Sequence, residues 1–169
     1  MFEIKVKEAI DGRRLRSERS VRAIIEAALA LQAEGMLVPT AQQISDRAGV
    51  GIRSFFRHFE DMESLFAAVD AQIRDSYESL FLGGERDGSV DERIERAVIR
   101  RSEAFESVNN VVQGTLVLLW RYEILRKHYA RNQRGLRKDL ENWLPEVKKM
   151  ERGDRESIHA IASDRKSVV

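Results

Sequence analysis

The sequence predicts an all-α protein: an N-terminal three-helix headpiece followed by a larger helical body. Three observations carry this. Helix breakers are scarce, with 2 Pro and 10 Gly in 169 residues, while Ala, Leu, Arg and Glu, all good helix formers, abound. Apolar residues recur at helical spacing along most of the chain. Two tetrads, Thr40-Ala-Gln-Gln43 and Ser89-Val-Asp-Glu92, have the pattern in which a hydroxyl and a following Gln or Glu cap each other's backbone amides.

Residues 1–16 show no clear period and are expected to be a mobile tail. The first helix is expected from about Ser17, with Val21, Ile24, Ile25, Ala28 and Leu31 on one stripe and Gly35 as its stop. Thr40 opens a short helix with Ile44 and Ala48 inward. Gly49-Val50-Gly51 breaks it, and a second short helix follows from Ile52 to about Phe59, with Phe55, Phe56 and Phe59 on its apolar side. Asp61 caps a longer helix bearing Met62, Leu65, Phe66, Val69, Ile73, Tyr77 and Leu80 or Phe81. The glycine-rich run 83–88 is a loop. The second capping tetrad opens a helix to about Val108, with Ile94, Val98 and Phe105 inward. Val111 to Ala130 reads as one apolar helix buried in the core, and Asn132 to Lys149 as another, carrying Leu136, Leu140, Trp143 and Leu144, ended or kinked by Pro145. Asp154 begins a last segment with Ile158, Ile161 and Val168. The expected division is 1–60 for arm and headpiece and 61–169 for the body.

Composition narrows the function classes. The chain has no Cys, which removes disulfides, thiolate metal sites and thiol nucleophiles. No HExxH, paired Cys/His set or phosphate-cradling glycine loop is present, and the carboxylates scatter over polar helix faces. The three histidines, His58, His128 and His159, read as surface or rim residues rather than metal ligands. Neither an enzyme, a metal site nor a cofactor is expected. No apolar run approaches the roughly 20 residues of a membrane span, and the N-terminus lacks the apolar stretch of a signal peptide, so the expectation is a cytoplasmic chain without membrane contact. The net charge of +1 points to no partner. Its distribution says more: Arg13, Arg14, Arg16, Arg19 and Arg22 face one acid, Glu18. Such a run is either a solvated terminus or a basic arm on phosphates.

Two short helices joined by a glycine turn and packed on a longer first helix form a helix-turn-helix. The first short helix braces across the nucleic-acid backbone, and the second enters the major groove, about 12 Å wide. The turn must be sharp, and Gly49 is expected there because a side chain would clash.

The stretch Arg22 to Phe66, RAIIEAALALQAEGMLVPTAQQISDRAGVGIRSFFRHFEDMESLF, resembles the TetR family of regulators. The match runs through Ala27-Ala28, Glu34-Gly35, Thr40, Ile44, Ala48-Gly49-Val50, Phe59 and Leu65 in the family's spacing. The resemblance implies a homodimer on a near-palindromic operator in double-stranded DNA. It also implies a C-terminal helical body for ligand binding and dimerisation, and release of DNA when a small-molecule effector shifts the two headpieces apart. By position, Gly51 is the N-cap of the recognition helix, and Ile52, Arg53, Ser54 and Arg57 face the groove. Arg53 suits guanine O6 and N7, and Ile52 a thymine methyl. Thr40 and His58 are candidate phosphate contacts, joined by Arg13, Arg14 and Arg16 of the arm. Three positions depart from the family: Phe56 replaces a usual Tyr, Met62 a usual Lys, and Gly51 a frequent Ser. These remove backbone anchors that the arm is expected to offset.

In the body, Phe105, Gln113, Trp120, Glu123 and His128 are the candidate effector contacts, although aromatics at helical spacing more often fill cores than pockets. Trp143 is either core or a subunit anchor. The expected function is a ligand-released repressor. The alternative is a regulator of the same kind without an inducer, controlled through a protein partner.

Overall fold

A computed structural model describes residues 2–81 and 83–163, the side chains of 2–11 and 163 excepted. Every regular element among the described residues is helical. In chain order these are α1 (Phe2–Ala33), α2 (Ala41–Ala48), α3 (Ile52–His58), α4 (Met62–Phe81), α5 (Val90–Ser107), α6 (Asn109–Leu118), α7 (Glu123–Trp143), a 3₁₀ turn (Pro145–Lys149) and α8 (Arg152–Ser163). They pack as two compact units, Met1–Ala71 with Asn110–Tyr122, and Gln72–Asn109 with Glu123–Val169. The sequence suggests one cut at 60/61. The units part instead within α4, and α6 belongs with the headpiece.

In the first unit, helix α1 corrects the expected tail. It starts at Phe2, not Ser17, because residues 2–11 contain no Pro or Gly and propensity sustains a helix without an apolar stripe. The helix ends where expected: Gly35 takes φ +93°, its amide bonds Gln32 O at 3.0 Å, and the Met36 amide bonds Leu31 O at 2.9 Å. This double closure satisfies the last carbonyls. Ile24, Ile25, Ala27, Ala28 and Leu31 of α1 meet Ile44 of α2, Phe55 of α3, Phe59 just beyond it and Leu65 of α4 in one buried core.

Helix α6 packs on this headpiece through Gly114, where an added Cβ would lie 2.5 Å from Leu37 O. Beside it, the Asn110 side-chain amide donates to Ala33 O at 2.9 Å. The single buried helix expected over 111–130 is corrected. The chain breaks between Leu118 and Glu123, and Leu116, Val117 and Trp120 are exposed. The run VVQGTLVLLW is apolar by composition, but a helix packed on one side can bury only one arc of it.

In the second unit, Phe81, Ala104, Phe105 and Leu136 form a buried cluster, with Phe81 and Phe105 edge to face at 5.1 Å. Here α5 is rolled relative to expectation. Ile94 and Val98 face outward with Val90 and Ile99, while Arg93, Ala97, Arg101 and Ala104 face inward with Phe105. The physical reason is polar. Arg93 donates to Trp143 O at 2.7 Å and pairs with Glu146 at 2.5 Å, and Arg101 donates to Leu136 O at 2.8 Å and Ala162 O at 3.0 Å. Charged hydrogen bonds to main-chain oxygens and to a carboxylate outweigh burial of two aliphatic side chains on the opposite arc. The helix expected over 132–149 is also redrawn. It begins at Glu123 and ends at Trp143, two residues before Pro145, which cannot donate an amide and disfavours helix in the residue before it. Val168 of the last segment lies outside the described residues.

Candidate nucleic-acid interface

The interface is built from α2, the turn and α3. Thr40 caps α2 reciprocally with Gln43: the Gln43 amide donates to Thr40 Oγ1 at 3.3 Å, and the Thr40 amide donates to Gln43 Oε1 at 2.9 Å. The Thr40 hydroxyl also donates to Gln43 Oε1 at 3.0 Å, so contact with a phosphate would need that proton to turn outward. Helix α2 is further held by Arg47, which pairs with Glu34 at the end of α1, one arm at 3.0 Å.

Gly49 adopts φ 66°, ψ 28° and closes α2 through bonds to Asp46 O and, from the Val50 amide, Ser45 O. A Cβ at this position would meet nothing within 4 Å. The expected clash is therefore corrected: glycine is required by the left-handed backbone, which L side chains enter at a cost, not by crowding. Gly51 sits at the N-cap of α3 with extended φ and ψ and no side-chain cap. Two bonds to Gly51 O, from Ser54 at 2.7 Å and Phe55 at 3.2 Å, start the helix.

Helix α3 is anchored on one side only. Phe55 is fully buried and contacts Phe59 at 5.7 Å between ring centres. Arg53, Phe56 and Arg57 are exposed, and Ile52, Ser54 and His58 are half-buried at the edges of that face. The seven-residue helix thus offers two guanidiniums and apolar groups on one solvent-facing arc, a surface able to meet base edges in a groove. Arg57 Nη2 donates to Ser54 Oγ at 2.7 Å, which fixes the arginine along the helix.

Within α3, Phe56 departs from the expected inward face: it is 53% exposed, not core. It lies one turn from Ile52, so the two form an apolar strip beside Arg53. The helical spacing contained that signal, but three phenylalanines in five residues looked like a single buried face. His58 is held below its ordinary value, first by burial and then by the neighbouring Arg57. Its Nε2 is buried without a hydrogen-bond partner among the described residues. Both effects disfavour the protonated, cationic form of the ring.

Arg13, Arg14 and Arg16 are exposed on α1. They project from a helix and not from a flexible arm. Arg14 Nε lies 3.6 Å from Glu18, and Arg16 Nε donates to Gly12 O at 3.1 Å.

The candidate effector contacts divide between the units. Gln113 and Trp120 belong to the first, and Phe105, Glu123 and His128 to the second. Phe105 is packed in the aromatic cluster, Trp120 is 79% exposed, and Glu123 pairs with Lys127 at 2.8 Å on the surface of α7. Among the described residues no group of three His, Cys, Asp or Glu side chains is placed to hold a metal ion, and no helix is long and apolar enough to cross a membrane.

Residues 24–69 match the family of bacterial regulatory proteins called tetR. No curated protein matches the chain. Among solved structures, a transcriptional regulator from Rhodococcus sp. Rha1 is similar in fold. The TM-score is 0.62 at 18% identity, covering 86% of this chain and 76% of that one. The matched segment spans the core of α1, the helix-turn-helix and the start of α4, and the fold likeness extends through the helical body. Residues 24–69 of the headpiece are thus similar to the tetR family of bacterial regulatory proteins, and the chain as a whole shares the fold of a solved transcriptional regulator.

Proposed function

We propose that this chain is a DNA-binding transcriptional regulator of the TetR kind, a repressor that binds a near-palindromic operator as a homodimer and is released by a small-molecule effector. The observation that carries the DNA half is the solvent-facing arc of α3, with Arg53 and Arg57 exposed over a fully buried Phe55. Arg53 is assigned to a guanine edge, Ile52 and Phe56 to thymine methyls, and Ser54, Thr40 and the Gly51 amide to phosphates. His58 joins them as a hydrogen-bonding group, and Arg13, Arg14 and Arg16 supply charge along the backbone. The headpiece is assigned to DNA and the remaining helices to effector binding and dimerisation. A second reading, control through a protein partner, is favoured by the exposure of Leu116, Val117 and Trp120 in the first unit.

The test is a fluorescence-anisotropy titration of DNA from the gene's own upstream region at two salt concentrations. Binding that weakens steeply with salt and exceeds a scrambled duplex by about a thousandfold supports the reading. Equal binding to both duplexes, with the chain dimeric by sedimentation, refutes sequence-specific recognition by α3.

A further inference from the structure

At one place in the second unit, among the described residues, two guanidiniums share one buried carboxylate. The Asp139 carboxylate on α7 is fully shielded, and two guanidiniums share it: Arg86 Nη2 lies 2.7 Å from Oδ1 and Arg101 Nη2 lies 3.4 Å from Oδ2. Arg93 has its own acid, Glu146. Arginine does not give up its proton in proteins, so among the described residues the Arg86, Asp139 and Arg101 group carries one positive charge in excess.

The hydrogen bonding is incomplete in the same place. Arg101 is 7% exposed in its side chain. Its Nη atoms serve Ala162 O and Leu136 O, but its Nε is buried with no partner among the described residues, as is the Nε of Arg86. Buried uncompensated charge and unpaired donors are costly. The nearby acids of the loop between α4 and α5 do not relieve this. Glu92 is held by the Ser89 cap at 2.8 Å, and Glu85 and Asp87 are exposed. Further cations adjoin the loop instead: Arg96 donates to Asp87 O, and Arg100 donates to Ser79 O at 3.2 Å.

Arg86 is the reachable member. Its side chain is 33% exposed, and its guanidinium sits 5.4 Å over the ring of Trp143, which orients the planar fork. We propose that Arg86, backed by Arg101, binds the carboxylate of a small organic anion, and that this anion is the effector. The effector role rests on the ligand-released reading above. A guanidinium fork matches a carboxylate in shape as well as charge, and this pair already holds one in Asp139.

The test is calorimetric titration of the full chain with acetate, benzoate and octanoate, each against its neutral amide, and with inorganic phosphate. At least one carboxylate is expected to bind with a Kd of about 1 mM or below. Its amide and phosphate should bind at least about tenfold more weakly. Arg86→Gln should lose the same factor, Arg86→Lys should lie between, and Arg152→Gln, an exposed change on α8, should bind as the parent does. Circular dichroism establishes that each variant is folded, and the parent titrations stand without them.

Failure of all three carboxylates to bind, amide or phosphate binding as tight as carboxylate, or undiminished binding by folded Arg86→Gln overturns the site. Adding the bound carboxylate to the protein–DNA complex separates the two readings. Release of DNA supports both. Binding without release leaves the anion site and overturns its effector role. Release by a neutral compound, with no carboxylate bound, overturns the anion site and leaves the ligand-released regulator intact.

Discussion

Arg101 of α5 donates from Nη2 to the main-chain oxygen of Leu136 in α7 at 2.8 Å, while its Nη1 reaches Ala162 O in α8 at 3.0 Å. One side chain thus ties three helices of the second unit. Burial disfavours the charge on Arg101, and Asp139 opposes that effect. Replacing Arg101 by Met removes its bonds to two main-chain oxygens and leaves part of the buried Asp139 carboxylate without a partner. A destabilisation of about 3–5 kcal/mol is expected, measured by urea unfolding. Arg101→Met combined with Asp139→Leu should cost less than the sum of the two single changes, since the partners then vanish together.

Gly114 of α6 approaches the main-chain oxygen of Leu37 so closely that a Cβ would stand 2.5 Å away, with Gln32 Nε2 at 2.9 Å. The glutamine can swing aside, but the carbonyl cannot without moving the loop. Gly114→Ala is expected to destabilise the first unit by about 1–3 kcal/mol, read as a lower melting temperature.

On DNA, Arg53→Ala should cost about 1–3 kcal/mol on the specific duplex and relax preference at one base position. Removing Arg13, Arg14 and Arg16 together should weaken all duplexes alike. The salt dependence should flatten by about 0.9 in log–log slope for each phosphate no longer neutralised. An unchanged slope would place these helix-borne arginines off the DNA.

Two groups give pH dependences of known sign. His58 is depressed below 6.5 by burial and by Arg57, so the unfolded chain takes up this proton first. Stability present above about pH 6.5 is then lost as pH falls through the folded value. His58→Gln should remove that part of the acid-side slope in urea midpoints. Tyr77 is pushed up to about 12, first by burial and then by Tyr129, with Arg131 opposing. Its contribution is full below pH 10 and falls as pH rises toward 12, and absorbance titration should show one late-ionising tyrosine.

The two tryptophans report on separate units. Trp143 is 1% exposed and Trp120 79%. Trp120→Phe should leave a blue-shifted emission that acrylamide quenches poorly.

By itself the sequence determined the headpiece. Its signals are local: the Thr40 to Gln43 cap, the Gly35 and Gly49 stops, and the stripe from Ile24 to Leu31 each act over three to seven residues. The exposed faces of Arg53 and Arg57 follow from the same spacing, because Phe55 and Phe59 fix the inward side of α3. A helix of one face and seven residues leaves its edges undefined, however, and Phe56 fell on the wrong side of that line.

The tertiary structure decided the rest. Which arc of α5 turns inward depends on Trp143 and Glu146, some fifty residues away, and on Leu136 and Asp139. Periodicity weighs Ile94 and Val98 as core and Arg93 and Arg101 as surface, because it counts apolar area and cannot count hydrogen-bond partners. A guanidinium goes inside only where carbonyls and carboxylates from other helices wait for it, and those partners become neighbours only once the chain has folded.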